Sequence, residues 1–251
     1  VPVSYQIVTR ATLASVVTDV CKLVGYPISS DPAGSTDLGI QQMVAAANQN
    51  NAELYALRDW QELRISLAID VVADFAGQPE KAFDLPDQYG RFVDNTQWCD
   101  SQKVPAIGPI TPQAWAGLLQ QPVAPTFQLM WQIRNDQIWF LAPNFPDPQP
   151  FSAMYISRGS ILDQDDPTVI KNIASKNGDT FLLDPALEVL GTRVKWLEYK
   201  GFDTSAAMRD FQTQFDSRAG SDEGATVYSL NSARGLPLIS PLNLPQTGYG
   251  Q

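Results

Sequence analysis

The chain has no histidine, only two cysteines, and 17 basic residues against 27 acidic ones. The missing histidine removes three things together: the commonest general base near neutral pH, the commonest metal ligand, and the Ser-His-Asp arrangement. Cys21 and Cys99 are far apart in sequence and form no CxxC pair, so no zinc site is expected. Cys21 falls on an apolar helical face and reads as a small buried hydrophobe. This cysteine usage fits a reducing compartment. No run of about eighteen apolar residues occurs, so no membrane span is expected. No basic segment followed by an apolar one opens the sequence, so no signal peptide is expected. There is no P-loop. Gly248 and Gly250 lack the strand and helix context of a dinucleotide fingerprint. The formal charge of −10 argues against a grip on nucleic-acid phosphates, which requires Lys and Arg. No basic patch interleaved with aromatics suggests single-strand or RNA binding. No cofactor is expected.

What is present fits a globular protein. The length of 251 residues suits one large domain or two small ones. Leu13, Val16, Val17, Val20, Cys21 and Val24 recur at helical spacing and predict a helix over 9–24, capped by Thr9 or Thr12 and stopped by Gly25 and Pro27. A second helix is predicted from Thr36 or Asp37 to about Leu57, weakened or bent by the run Asn48-Gln49-Asn50-Asn51 because Asn is a poor interior residue. Trp60 and Leu63 read as a core anchor at its end.

The period then changes from 3.6 to 2. Ile65, Leu67, Ile69 and Val71 alternate with polar or small residues, as in a half-buried strand. Extended structure resumes after Gly77 and Pro79. Phe127, Leu129, Trp131 and Ile133 alternate into Asn135-Asp136, which predicts a hairpin returning through Gln137–Leu141. Residues 151–158 form a further strand candidate. A short helix starts at Thr111-Pro112 and contains Trp115. Helix returns over 184–200, with Asp184 as cap, Pro185 first, Leu187, Leu190, Val194 and Leu197 on one face, and Gly201 after the end. A last helix is predicted from Thr204 to Gly220. Separate helical and strand runs indicate an α+β fold. The expected organisation is N-terminal helices of a bundle over 1–62, a β-rich antiparallel insertion over 63–181, C-terminal helices of the bundle over 182–220, and an extended C-terminal arm over 221–251.

That arm has a composition of its own. It holds three charged residues, Asp222, Glu223 and Arg234, and prolines at 237, 241 and 245, which forbid a helix or a central strand. Solvated tails are charged and poor in apolar groups. This one carries Val227, Tyr228, Leu230, Leu236, Leu238, Ile239, Leu242, Leu244 and Tyr249. Such a segment wraps its own domain or docks on a partner subunit, and the second is the reading adopted.

Candidate chemistry is sparse. Carboxylate pairs such as Glu53 with Asp59, or Asp84 with Asp87, have no diagnostic spacing for a glycosidase. Glu62 reads as a solvated helix-end carboxylate. Asp163-Gln164-Asp165-Asp166 is not an EF-hand, because its sixth and twelfth loop positions are Thr168 and Ala174. A loop with a helix-capping Asp166 before Pro167 describes it better.

The stretch from Trp60 to Phe92 carries a resemblance. Trp60 and Leu63 end a helix, a strand follows, and then come Phe83, Leu85, Pro86, Tyr89 and Arg91. Further on come Trp98, the Thr-Pro-started helix with Trp115, the Ile138–Pro148 stretch, and a helix opening on Leu-Leu-Asp-Pro at 182–185. In this order the motifs, over roughly residues 10–218, resemble the head-to-tail adaptors of tailed bacteriophages, especially the portal-bound adaptors of short-tailed phages.

The resemblance implies a structural virion protein with no catalytic residue, cofactor or metal. It implies a homo-oligomeric ring of about twelve copies that joins the portal of the head to a tail nozzle or tail-tube protein. DNA passes through the lumen without specific binding and no membrane is involved. The implied location is the head–tail junction of the virion, after assembly in the host cytoplasm. The residues expected to meet the portal are Tyr228, Leu230, Leu236, Leu238, Ile239, Leu242, Leu244 and Tyr249. Two alternatives stand beside this one. A carboxylate-dependent peptidoglycan-degrading virion enzyme would use Asp and Glu, and a carbohydrate-binding tail module would stack sugars on some of the six tryptophans. For Trp60, Trp98, Trp115 and Trp131 the expectation is core packing.

Overall fold

A computed structural model describes residues 10–71, 78–120, 129–141 and 149–223. The fold is α+β, with five α-helices and antiparallel sheets. Helix α1 (Leu13–Val24) starts at Thr12, in a reciprocal capping box with Ser15, and ends on Gly25 in the left-handed region at φ 67°. The two backbone N–H groups that follow this cap, those of Leu13 and Ala14, donate to Asp179 O and Asn177 O, so a distant loop completes the helix start. Helix α2 (Leu38–Leu57) is capped by Asp37, which accepts from the N–H groups of Gly39 and Ile40. Helix α4 (Pro185–Lys200) is capped by Asp184, has proline in its first turn, and ends on Gly201 at φ 70°. Helix α3 (Pro112–Gln120) buries Trp115.

Helix α2 is continuous through the asparagine run that was expected to weaken or bend it. The helix runs unbroken through Asn48, Asn50 and Asn51 because all three side chains have tertiary partners. Asn48 exchanges hydrogen bonds with the Ala174 backbone, Asn51 donates to Ser160, and Asn50 donates to Glu188. A bonded amide no longer competes with the helix for local backbone groups. Helix α4 also turns differently from its apolar pattern. Leu190 is half-buried, while Glu188, Gly191, Thr192 and Trp196 join Leu187 and Val194 inside. Asn50 lies so close to Gly191 that a Cβ there would overlap its side-chain oxygen. That close approach is what lets α2 and α4 meet.

Helix α5 runs Ser205–Glu223. It passes the predicted stop at Gly220 and takes in the first three residues assigned to the arm. Gly220 itself meets no crowding that would end the helix.

Strands β1 (Arg64–Val71), β8 (Gln149–Ser157), β4 (Trp98–Cys99) and β5 (Val104–Pro105) form a sheet in that order, with β3 (Tyr89–Phe92) on β8 beside β4. Along β1, register pairs Ile65 with Tyr155, Leu67 with Ala153 and Ile69 with Phe151. A second sheet is β2 (Glu80–Asp84), β7 (Gln137–Leu141) and β6 (Trp131–Arg134). Its β6–β7 turn holds Asn135 and Asp136 at φ 54° and 58°, as a two-residue hairpin demands. In β6 the expected alternation fails: Gln132 is buried and Ile133 is exposed. The sequence pattern gave no sign of a third sheet, β10 (Ile170–Lys171), β9 (Ile161–Leu162) and β11 (Thr180–Phe181). Its two-residue strands are too short to show a period. Asp166 caps no helix there; it accepts from the N–H and hydroxyl of Thr168 in a tight turn.

Three apolar clusters hold these layers. One joins α1, α2 and Trp196 of α4 with Ile161, Ala174 and Phe181. A second fills the space between the two larger sheets with Val71, Cys99, Leu129, Trp131, Ile138, Phe140, Phe151 and Ala153. The third is the joint between helices and strands: Leu54, Trp60, Leu63, Ile156, Leu182, Leu183 and Leu187, with Phe211 and Phe215 of α5 against it.

Candidate functional site

The joint is where helix α5 ends. Trp60 is buried and donates its indole N–H to Leu54 O at 2.7 Å. Phe215 meets it edge-on at 5.9 Å, and Phe211 stacks on Phe215 at 6.1 Å. One turn later Arg218 pairs with Glu62 and lies 3.6 Å from Asp184. Glu62 is therefore an ion-pair partner and not a solvated helix end. Asp222, 4% exposed, accepts from the Gln61 backbone N–H at 3.2 Å, while the Gln61 side chain donates to Asp222 O. The last two turns of α5 are thus fixed, by rings, an ion pair and backbone bonds, to the residues that immediately precede β1.

The segment from Phe83 to Phe92 sits on the other side of the same joint. Tyr89 N–H donates to Pro86 O at 2.8 Å and closes a turn. Leu85 and Phe83 pack against the cluster between the sheets. Tyr89 packs on Phe92 at 5.0 Å and Tyr155 at 5.7 Å, and burial pushes its phenol up to about 12. Arg91 donates twice to one Asp59 carboxylate oxygen, at 3.0 and 2.6 Å, with its guanidinium 5.6 Å from the Tyr55 ring centre. Arg64 donates to the Asp59 carbonyl. These residues tie the end of α2 to β1 and β3. They form joints and turns.

Glu53, Asp84 and the 163–166 run are engaged structurally. Glu53 binds Lys195 at 2.9 Å and accepts from Gln49 at 3.0 Å. Asp84 accepts from Gln137 at 2.7 Å. The acidic run at 163–166 is neutralised from within the chain. Lys171 reaches Asp163 and Asp179 at 2.7 Å each, and Lys176 reaches Asp163 and Asp165. The bond from Lys171, then the Asp165 N–H, holds the Asp163 carboxyl far below its ordinary value. Burial pushes Asp179 up, but Lys171 and the N–H groups of Lys176, Ser175 and Gln164 outweigh it and leave it lowered. Among the described residues, no group of carboxylate, cysteine or histidine side chains is arranged to hold a metal ion. Asp179→Ala strips four donors of their acceptor and loosens the loop that completes the start of α1. It is expected to cost about 3 kcal/mol of unfolding free energy, seen as a lower urea midpoint at unchanged slope; an unmoved midpoint would show that the loop is held by other means.

Trp60, Trp115 and Trp131 are buried as expected. Trp98 is only half-buried and lines a shallow groove on the outer face of the first sheet with Ser66, Ala68, Asn95, Ser152 and Met154. Tyr228, Leu230, Leu236, Leu238, Ile239, Leu242, Leu244 and Tyr249, the residues expected to bind a partner, lie outside the described residues. Sequence reasoning missed the contacts that fix the end of α5, Gln61 with Asp222 and Glu62 with Arg218. Acidic, amide and basic residues this far apart in sequence give no pairing signal. No protein-family model matches the chain, and no curated protein sequence does.

Proposed function

We propose that this chain is a structural head–tail adaptor of a tailed bacteriophage. Copies assemble into a ring of about twelve between the portal and a tail nozzle or tail-tube protein, with DNA crossing the lumen. One observation carries the reading. Residues 224–251 contain a single charged side chain, Arg234, and they begin at a helix end pinned to the joint through Asp222 and Arg218. An apolar, proline-spaced segment that follows a fixed helix end suits insertion into a cleft of another subunit, because a fixed attachment point lowers the entropy cost of docking. Extended backbone adds to sheet edges while alternate apolar side chains fill pockets.

Two further features support the same reading. Of the sequence motifs that resemble phage adaptors, Trp60 and Leu63 lie in this joint and Arg91 pairs with Asp59 beside it. The charge of −10 per chain gives a ring wall that repels a passing duplex at short range. The test is electron microscopy of the purified protein, alone and mixed with its cognate portal protein. Annular particles of about twelve copies, stacked coaxially on the portal, are the expected images. Single copies at every concentration, with portal present, would refute the ring.

A further inference from the structure

We infer that a small cavity between α2 and the turn after β8 binds a small oxyanion that also carries a hydrogen-bond donor, such as hydrogen phosphate or a short hydroxycarboxylate. The inference goes beyond the adaptor reading and does not require it. It starts from the way three pieces of chain are tied together. Gly159 lies so close to the Lys171 backbone that a Cβ there would overlap it, so the turn and Asn172 sit side by side. Tyr55 of α2 donates to Ser157 O at 2.9 Å, the Ser157 hydroxyl donates to Gly159 O at 2.6 Å, and Asn51 of α2 donates to the Ser160 hydroxyl oxygen at 2.7 Å. The cavity among them is about 170 Å³, lined by Asn51, Ala52, Tyr55, Arg158, Ser160 and Asn172. That is below the 300–1,000 Å³ of drug-sized sites and suits a ligand of a few heavy atoms.

Its lining has an uneven balance of donors and acceptors. The Arg158 side chain is exposed, and its guanidinium has no acceptor among the described residues. This is notable in a chain with 27 acidic residues and 17 basic ones, where Arg91, Arg134, Arg193 and Arg218 all pair with carboxylates. The Asn172 amide also has no hydrogen bond among the described residues. Ser160 accepts from Asn51 and keeps its own proton to donate. Arginine matches carboxylate and phosphate oxygens with a two-pronged grip. Three donors from three places therefore favour an oxyanion.

Asn51 adds a second requirement. It is 1% exposed, its Nδ2 is used by Ser160, and its Oδ1 has no hydrogen-bond partner. A buried amide oxygen is costly without a donor, and the cavity that Asn51 lines is where one can enter. The ligand must then bring a proton of its own. Hydrogen phosphate has a P–OH and a hydroxycarboxylate has a C–OH. A DNA phosphodiester has neither and is not the ligand.

Isothermal titration calorimetry of the full-length protein tests this, at neutral pH and fixed ionic strength so that screening of the Arg158 charge stays constant. Two pairs of sodium salts are compared, phosphate against sulfate and glycolate against acetate; only the first of each pair carries a donor. At least one donor-bearing anion is expected to bind saturably and about tenfold or more tighter than its partner, and which one does so identifies the class. Arg158→Gln should weaken that binding about tenfold or more, with folding preserved because the side chain is exposed. Arg209→Gln removes the same charge from an exposed position on α5 and should leave binding unchanged. Three results overturn the inference: no saturable binding of phosphate or glycolate, no preference for the donor-bearing anion in either pair, or equal affinity in Arg158→Gln and the parent.

Discussion

Deleting residues 224–251 is expected to abolish capture of the protein by its portal while leaving its helix content unchanged. The cut belongs at 224. A cut at 221 would also remove Asp222, whose buried carboxylate and carbonyl hold Gln61, and would mix lost stability with lost docking. Helices α1 to α5 lie wholly within the retained residues, so the helical signal in far-ultraviolet circular dichroism should match that of the parent. The docking loss should be large. A few apolar anchors dominate most interfaces, each contributing about 1–3 kcal/mol. Replacing Leu238, Ile239 and Leu242 together with Ser should therefore weaken capture by about a hundredfold or more. Arg234→Ala should change little, since a rim charge contributes about 1 kcal/mol or less. Binding of the shortened protein at parental affinity would end the proposal that this segment is the portal ligand.

The second expectation concerns Glu188. Its side chain is fully buried between α2 and α4, with one hydrogen bond, from Asn50 at 3.0 Å, and one carboxyl oxygen without a partner. Burial, with a smaller push from Asp184 against the Asn50 bond, lifts its carboxyl from 4.5 to about 8. The sign of the linkage follows. Below the unfolded value the group is protonated in both states and costs nothing. As pH rises from about 4.5 to about 8 the unfolded chain releases the proton and the folded one retains it, so stability falls by about 1.4 kcal/mol per pH unit at most. Above about 8 the loss is complete and levels off.

The lowered carboxylates Asp31, Asp37, Asp166, Asp179 and Asp203 act oppositely. Their contribution is present above the ordinary Asp range and is lost as pH falls through their folded values. Stability should therefore peak near pH 4 to 5. Glu188→Gln keeps the shape and the Asn50 contact but has no proton to lose. It should flatten the profile between pH 5 and 8 and raise stability at pH 8 by roughly 3–5 kcal/mol. Parallel melting curves across that range in parent and variant would discard this account. Glu188 is also unsuited to cleaving a glycan, because no face of it reaches solvent.

Much of the helical architecture was legible because caps are local. Thr12, Asp37 and Asp184 announce helix starts within three residues, and Gly25 and Gly201 announce ends. The β6–β7 hairpin was legible for the same reason, since Asn135-Asp136 provides its own turn. The continuity of α2 through its asparagine run was not legible because propensity weighs a residue without its partners, and those partners lie more than a hundred residues away. Ile133 was misread because a period-two pattern assigns a face but not what covers it. The joint was half legible. Trp60 and Leu63 stood out as an anchor and Arg91 as part of a motif, but the ion pair of Arg218 with Glu62 spans 156 positions and leaves no local trace.

By itself the sequence determined the α+β class, the absence of histidine chemistry, the helix boundaries at their caps, and the apolar, proline-spaced composition of residues 224–251. The tertiary structure alone decided which strands pair, that Glu188 is shut away from water, and that α5 continues to Glu223 and locks onto Gln61. The division has one physical cause. Capping, turn geometry and periodicity depend on neighbours a few residues apart, whereas burial and pairing depend on what the folded chain brings alongside.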